Sequence, residues 1–322
     1  MRSLINVLDE INQKNLKIVN SDQTLMNKFV FRGQSNAEWN VNAKLFRADY
    51  KHLLGKEHIL IQEYIKKFPE FETQPTINVL ADMQHFGLPT RLIDWSTNPL
   101  VALYFACSDP EYLDRDGKVF FCNYSRPEVS HCKIISELIC EVSQFDFNSP
   151  HFDKNNLEIQ KTAFAYLVSS YFIKTITLYG APQNLEQSIG SLDDLIHNDF
   201  MNVCIDALKH IYGENETRKD NMTDKLKNFL KATFNPIIIN APRVNQRIIS
   251  QNGMFQICNG KEYSNLKIMK ACNYNFPESC VVIIYKQEKI EILEELNNRF
   301  DINANSLHLA ENINIAEFLQ KI

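Results

Sequence analysis

The chain carries its most informative stretch at residues 84–99, which read Gln84-His85-Phe86-Gly87-Leu88-Pro89-Thr90-Arg91-Leu92-Ile93-Asp94-Trp95-Ser96-Thr97-Asn98-Pro99. Apolar residues at helical spacing predict a helix over 76–84, and Gly87 is a stop signal for that helix. Asn98-Pro99 has the chemistry of an N-cap followed by proline in the first turn, so a second helix is predicted from residue 99 through the apolar run 100–106. The stretch therefore places charged and polar side chains on a rigid connection between two helices, where ligand-binding residues are often found.

Outward from this stretch, β-rich runs lie on both sides of a long helical region. The run Lys28 to Phe31 predicts a strand that ends in a tight turn at Arg32-Gly33. Residues from about 127 to 233 have a mainly helical pattern. The simplest architecture is one α+β domain over residues 1–322, with a large helical insertion at about 127–233. The other predicted strands are 118–122, 237–239, 254–257 and 280–285, and the other predicted helices are 4–18, 57–68, 289–299 and 314–322.

The composition is that of a soluble globular protein, with 44% apolar and 23% charged residues. A net charge of −5 argues against binding nucleic acid through bulk electrostatics, although a local basic groove stays compatible with it. The sequence contains no run of about 20 apolar residues, which a membrane span requires, and it begins without the apolar run of a signal peptide. We therefore expect a cytoplasmic protein without a membrane partner.

The eight cysteines and the known short motifs exclude several classes of chemistry. No two cysteines have C-x-x-C spacing and no histidine lies at zinc-ligand spacing from them, which predicts free thiols in a reducing compartment and no metal site. P-loop, Rossmann, zincin and α/β-hydrolase motifs are all absent from the sequence. Enzymes built on those motifs are therefore not indicated.

Three motifs of the chain resemble the FRG domain family, which is named for its Phe/Tyr-Arg-Gly motif. Phe31-Arg32-Gly33-Gln34 matches the name motif, residues 83–96 match the longest family motif almost position for position, and residues 247–255 match a third. The order and spacing of these motifs extend over nearly the whole chain.

A fainter resemblance connects the chain to mono-ADP-ribosyltransferases of the Arg-Ser-Glu class. Those enzymes have a strand that ends in aromatic-Arg-Gly and, later, a Ser-Thr-Ser strand that leads into a helix reading Asn-Pro-x-Val-Ala-x-x-Phe-Ala. Here Phe31-Arg32-Gly33 is followed by Trp95-Ser96-Thr97 and Asn98-Pro99 to Ala106. The resemblance implies a mixed-sheet core, NAD as substrate, Arg32 on the NAD phosphates or ribose, and Ser96 or Thr97 at the nicotinamide side.

The third element of that class is a glutamate at the start of a later strand, which stabilises the oxocarbenium-like transition state. The corresponding residue here is Gln251, which can hydrogen-bond a ribose hydroxyl but carries no negative charge. Three readings follow: Gln251 acts more weakly, Asp94 or Glu278 replaces the glutamate, or transfer activity has been lost.

Several of these residues also have a purely structural interpretation. Arg32 either binds an anion, with Gly33 allowing close approach, or pairs with a loop carboxylate, and Gln34 either binds ligand or caps the turn. Arg91 and Asp94 either form an ion pair that makes the loop rigid, or Arg91 binds phosphate while Asp94 orients His85. His85 itself is either a general base or a favourable helix C-terminal residue.

The other polar residues of interest also have two interpretations each. Only one of Ser96, Thr97 and Asn98 can be the N-cap, which leaves two of them for a ligand. If Arg243, Arg247 and Gln251 are helical, they share one face, which either is solvated or contacts a polyanion.

The leading hypothesis is an NAD-dependent ADP-ribosyltransferase-like enzyme that acts as a toxin or phage-defence effector on a nucleic acid or protein. An antitoxin or inhibitor is a further candidate partner. The alternative is a non-catalytic nucleotide- or nucleic-acid-binding module, and a nuclease ranks last because no set of metal-binding carboxylates is recognisable. The candidate catalytic residues are Arg32, His85, Asp94 and Gln251, and the candidate NAD-binding residues are Arg32, Gly33, Gln34, Thr90, Arg91, Ser96 and Thr97.

Overall fold

A computed structural model describes residues 2–21, 29–53, 55–123, 129–145, 157–179, 198–213, 221–233, 237–263, 266–269 and 276–309. Its strands are β1 (Phe29–Gln34), β2 (Leu92–Ser96), β3 (Gly117–Asn123), β4 (Ile237–Asn240), β5 (Gly253–Ile257), β6 (Lys261–Tyr263), β7 (Leu266–Met269) and β8 (Val281–Ile284). Its α-helices are α1 (Leu4–Ser21), α2 (Glu57–Lys67), α3 (Thr76–His85), α4 (Pro99–Cys107), α5 (Val129–Gln144), α6 (Leu157–Tyr179), α7 (Asn198–Tyr212), α8 (Met222–Ala232), α9 (Gln246–Ser250) and α10 (Lys289–Phe300).

Six of the strands form one sheet in the order β4–β5–β2–β1–β3–β8, while β6 and β7 form a separate pair. Each pair of neighbours in the large sheet is antiparallel, so the expectation of a mixed sheet is wrong for the strands that the structure describes. Strand β1 pairs with β3 along its whole length, from Phe29 to Gln34. It meets β2 only at the pair Phe31–Ser96, so the two strands separate beyond that point.

The sheet lies between two apolar layers. One layer contains residues of α1, α4 and α10 together with Phe31, and the other contains residues of α2, α3 and the helices α5 to α8 together with Val30. Because successive side chains of a strand point to opposite faces, Arg32 lies on the same face as Val30, toward the larger helical layer. The α+β class is therefore confirmed, and the helices α5 to α8 fall in the region predicted as helical.

Helix α4 approaches β1 so closely that only glycine fits at position 33. A Cβ atom built on Gly33 would lie 1.8 Å from the carbonyl oxygen of Ala102 and 2.7 Å from the amide nitrogen of Ala106. The strand β1 continues through Arg32 and Gly33 to Gln34, so the predicted tight turn at Arg32-Gly33 is wrong. The glycine serves helix packing rather than a turn.

Most of the other predicted elements are confirmed within two or three residues of their predicted ends. The cap is also confirmed, because Asn98 accepts a hydrogen bond from the backbone nitrogen of Leu100 with Pro99 in the first turn of α4. The hairpin β6–β7 was not predicted, and the predicted helix at 314–322 lies outside the described residues. Nowhere in the described chain is a helix long and apolar enough to span a membrane. Among the described residues, no disulfide bond is formed by the cysteines, which are Cys107, Cys122, Cys140, Cys204, Cys258 and Cys280.

Candidate functional site

Arg32 bridges the gap where β1 and β2 separate. Its Nη1 donates a hydrogen bond of 2.6 Å to the backbone oxygen of Asp94, and its Nε is buried without a hydrogen-bond partner. Among the described residues no carboxylate forms an ion pair with this guanidinium. Burial lowers the pKa of Arg32, the Asp94 carboxylate acts in the opposite direction, and the positive charge of Arg47 adds to the lowering. Within the described part of the chain, Arg32 is thus a partly buried positive charge without a bonded counter-charge.

Two further cations follow β1 in the chain, and the positive charge of Arg47 acts on both Arg32 and Lys44. Lys44 donates through Nζ to the oxygen of Gly87 at 2.6 Å and lies 5.3 Å from the ring centre of Tyr50. Burial lowers the pKa of Lys44, and Arg47 lowers it further. Arg47 is exposed, so its side chain reaches solvent at the edge of the cluster. We call Arg32, Lys44 and Arg47 the cation cluster.

The Asp94 carboxylate is exposed and is held by a short chain of hydrogen bonds. Its Oδ1 accepts a bond of 2.7 Å from Nε2 of Gln84, and Oε1 of Gln84 accepts a bond from the hydroxyl of Thr90. Thr90 is completely buried and its hydroxyl also accepts from the backbone nitrogen of Leu92. The buried hydroxyl of Thr90 therefore orients the Gln84 amide, and that amide orients the Asp94 carboxylate.

A small cavity of about 30 Å³ lies next to this carboxylate, with room for about one water molecule. It is lined by Asp94, Gln84, His85, Arg247 and Gln251, among other residues. Three of the four predicted catalytic residues thus meet at one cavity, and the fourth, Arg32, bonds to the backbone of Asp94 from the neighbouring strand.

His85 and Gln251 are the less exposed members of this group. The His85 side chain is buried, and its ring packs edge-on against Phe86 with 4.8 Å between ring centres. Gln251 follows α9 and donates through Nε2 to the oxygen of Leu307 at 3.0 Å. Helix α9 covers only Gln246–Ser250, so Arg243 lies before it and the proposed common face of Arg243, Arg247 and Gln251 is not formed.

Arg91 is not among the residues that line this cavity, and its side chain is completely buried. Its guanidinium forms a two-bond ion pair with Glu57, with 2.8 Å between Nε and Oε1, and Nη1 donates to the oxygen of Cys258 at 2.9 Å. Burial acts to lower the pKa of Arg91, but Glu57 outweighs it and the pKa is raised. The predicted Arg91–Asp94 ion pair is wrong because the buried Glu57 of α2 supplies the counter-charge.

The residues Ser96, Thr97 and Asn98 have three different roles in the structure. Ser96 donates to the oxygen of Gln251 at 2.6 Å and accepts from the nitrogen of Asn98, so its hydroxyl is used within the fold. Asn98 is the N-cap of α4. Thr97 is exposed, and its backbone nitrogen donates to the oxygen of Asn252 at 3.1 Å.

The remaining predicted residues lie outside the cavity. Gly33 faces α4 at backbone contact distance, and Gln34 is buried with Nε2 donating to the oxygen of Asn40 rather than capping a turn. Glu278 precedes the edge strand β8, two strands away from β1; its side chain is exposed and its backbone oxygen accepts from Lys14. In the described part of the chain no group of three or more potential ligands is placed to hold a metal ion.

The sequence alone missed four residues that shape this site: Lys44, Arg47, Gln84 and Glu57. Lys44 and Arg47 had a weak signal, namely two cations three residues apart after a motif that already contains Arg32. Gln84 and Glu57 had none, because their partners are brought to them only by the packing of α2 and α3 on the sheet.

Comparison with curated proteins and with solved structures returns no match. Comparison with family models returns one, the FRG domain, over residues 27–115. The matched region contains β1, the cation cluster, the Glu57–Arg91 pair and the whole stretch 84–99, and it ends before the third motif at 247–255. Residues 27–115 of the chain therefore match the FRG domain.

Proposed function

We propose that the chain is an NAD-dependent ADP-ribosyltransferase-like enzyme that modifies a nucleic acid or a protein, and that its sheet is a variant of the ADP-ribosyltransferase core. The observation that carries the proposal is the cation cluster, which has no bonded carboxylate among the described residues, near the exposed and well-held carboxylate of Asp94. NAD needs both features, because it carries two phosphates and reacts through a cationic ribosyl group.

The cation cluster supports the binding of the NAD pyrophosphate. A partly buried charge is costly unless it is paired, and the guanidinium of Arg32 has a buried Nε with no partner among the described residues. Guanidinium groups bind phosphate oxygens through two parallel hydrogen bonds. The two phosphates would neutralise Arg32 together with Lys44 and Arg47, and they would offset the repulsion that Arg47 exerts on the other two cations.

Asp94 supports the reaction at the ribose. In the transfer step the bond between nicotinamide N1 and ribose C1′ breaks, and its electron pair leaves with nicotinamide. The acceptor forms the new bond to C1′ and gives up its proton to His85, which lines the same cavity as Asp94. A fixed carboxylate beside C1′ stabilises the positive charge that develops there. We assign this task to Asp94, because the amide of Gln251 is neutral and is used in its bond to Leu307.

The alternative function is a non-catalytic module that binds a nucleotide or nucleic acid with the same cation cluster. The bond from Gln251 to Leu307 favours it, since the position that corresponds to the transferase glutamate then serves the fold. Exposed Arg47 would contact phosphates of a longer strand, and binding would weaken steeply with salt.

The deciding experiment incubates the protein with labelled NAD and cell extract and compares Arg32→Ala, Asp94→Asn and the wild type. Asp94→Asn keeps the oxygen that accepts from Gln84 and removes only the charge. We expect nicotinamide release in the wild type, loss of NAD binding in Arg32→Ala, and retained binding with at least a hundredfold slower turnover in Asp94→Asn. Exposed Arg115 and Asp114 provide the matched controls Arg115→Ala and Asp114→Asn.

Three results test the phosphate assignment, the choice between the two functions and the toxin hypothesis. Turnover that survives in a folded Arg32→Ala variant overturns the assignment of the phosphates to the cation cluster. NAD binding without turnover in the wild type, with salt-dependent binding of oligonucleotides, establishes the binding module instead. Expression of the wild type in a bacterial cytoplasm tests the toxin hypothesis, since growth arrest should disappear in Asp94→Asn.

A further inference from the structure

A second and much larger cavity, of about 430 Å³, lies at the end of the sheet where β2, β4 and β5 meet. The register brings these ends together, because Ser96 pairs with Gly253 and Asn240 pairs with Met254. Its volume falls in the range of about 300–1,000 Å³ that is typical of small-molecule sites. The cavity adjoins the small one at Asp94, and Ile248 and Gly253 line both.

Four polar side chains line this cavity without an evident task in the fold. They belong to Thr97, Asn240, Arg243 and Asn252, and no described residue forms a hydrogen bond or an ion pair with any of the four side chains. The backbones of Thr97, Asn240 and Asn252 are held at the ends of the strands. The nitrogen of Thr97 donates to the oxygen of Asn252, and Asn240 pairs with Met254. All four residues are exposed, so their side chains are accessible to a ligand.

The arrangement of these groups indicates the chemistry of a ligand. Arg243 brings five donors and a permanent positive charge, which suit a phosphate. Asn240, Asn252 and Thr97 can each donate and accept, which suits the hydroxyls of a sugar and the edge of a base. Ile248 and Ile249 add apolar surface to the wall, and the Ile249 side chain is exposed.

We propose that this cavity is a second binding site, which takes a phosphorylated small molecule of mononucleotide size with its phosphate on Arg243. The site does not include the cation cluster, so the proposal does not depend on the proposed transferase function. A ligand here would be separated from Asp94 only by the wall that Ile248 and Gly253 form between the two cavities.

Calorimetric titration of the full-length protein tests the site with AMP, GMP, CMP and UMP, beside the matching nucleosides and inorganic phosphate. We expect at least one mononucleotide to bind with one-to-one stoichiometry and more tightly than its nucleoside or phosphate alone. Arg243→Gln should weaken this binding about tenfold or more, since it removes a charge-assisted hydrogen bond. Asn252→Gly should weaken it less and leave the fold intact, because Asn252 has a left-handed φ of 48°, which glycine adopts without strain.

Two control variants separate this site from its neighbours. Arg247→Gln removes a cation from the small cavity, and Arg32→Ala removes one from the cation cluster. Mononucleotide binding should persist in both. The proposal is overturned if no mononucleotide binds at millimolar concentration, if Arg243→Gln binds like the wild type, or if binding disappears in Arg32→Ala but not in Arg243→Gln.

Discussion

Arg32 and Arg91 both lie in the region that matches the FRG domain, but among the described residues only Arg91 has a carboxylate bonded to its guanidinium. Arg91 is completely buried and is neutralised by Glu57 through two hydrogen bonds, so its pKa is raised despite burial. Arg32 is partly exposed and, among the described residues, bonds to a backbone oxygen and to no carboxylate, so burial prevails and its pKa is lowered. The carboxylate that neutralises Arg91 belongs to the fold, whereas Arg32 is placed to bind an anion that a ligand supplies.

This comparison teaches that an arginine in a motif is not by itself a ligand-binding residue. Both side chains come from recognisable motifs, and both were candidates for phosphate binding. The position of the nearest carboxylate distinguishes them: Glu57 is bonded to Arg91, whereas the Asp94 side chain accepts a hydrogen bond from Gln84. The predictions below test each side of this difference and are ordered by the expected change in the stability of the fold.

The largest effect is expected when the buried pair is broken. Arg91→Met leaves the carboxylate of Glu57 buried without a partner, so we expect a loss of about 3–5 kcal/mol in urea unfolding. The double variant Glu57→Leu/Arg91→Met should recover much of that loss, because it leaves no unpaired charge. A loss below about 1 kcal/mol in Arg91→Met would show that the pair does not stabilise the domain.

The next effect concerns the position of Arg32 rather than its charge. Gly33→Ala places a Cβ atom 1.8 Å from a backbone oxygen of α4, which forces the helix away from β1. We expect a loss of at least about 1–3 kcal/mol together with weaker NAD binding, because Arg32 is the neighbouring residue. Gly253→Ala is the matched control: its nearest contact is 3.2 Å, and its thermal unfolding should change less.

A smaller effect is expected at the cap that orders the end of stretch 84–99. Asn98→Ala removes the hydrogen bond to the nitrogen of Leu100, which should destabilise the protein by about 1 kcal/mol. Asn98→Asp keeps the acceptor, so its melting temperature should stay near that of the wild type. Equal losses in both variants would contradict the capping assignment.

The smallest effect on stability, and a large one on ligand binding, is expected within the cation cluster. Arg47→Gln changes an exposed side chain, so the free energy of unfolding should shift by no more than about 0.5 kcal/mol. NAD binding should nevertheless weaken about tenfold, because a charge-assisted contact to phosphate is lost. Unchanged binding in Arg47→Gln would limit the cluster to Arg32 and Lys44.

The sequence predicted local structure best where one short-range mechanism acted alone. The helix ends at Gly87 and Asn98-Pro99, the strand at 254–257 and the α+β class all follow from periodicity and capping. The prediction failed at Arg32-Gly33, where glycine was interpreted as a turn signal. Its actual cause is the backbone of α4, which the chain brings to β1 from about 70 residues away.

The sequence by itself therefore determined the family motifs, the helical region between β3 and β4, and three of the residues that meet at the small cavity, namely His85, Asp94 and Gln251. Only the tertiary structure decided which of those residues are already used. It pairs Arg91 with Glu57, and it places the Gln251 amide in a hydrogen bond to the oxygen of Leu307. It leaves Arg32, Asp94 and Arg243 without bonded counter-charges among the described residues. The physical reason is that charge compensation depends on distances between segments far apart in the chain, which no local pattern records.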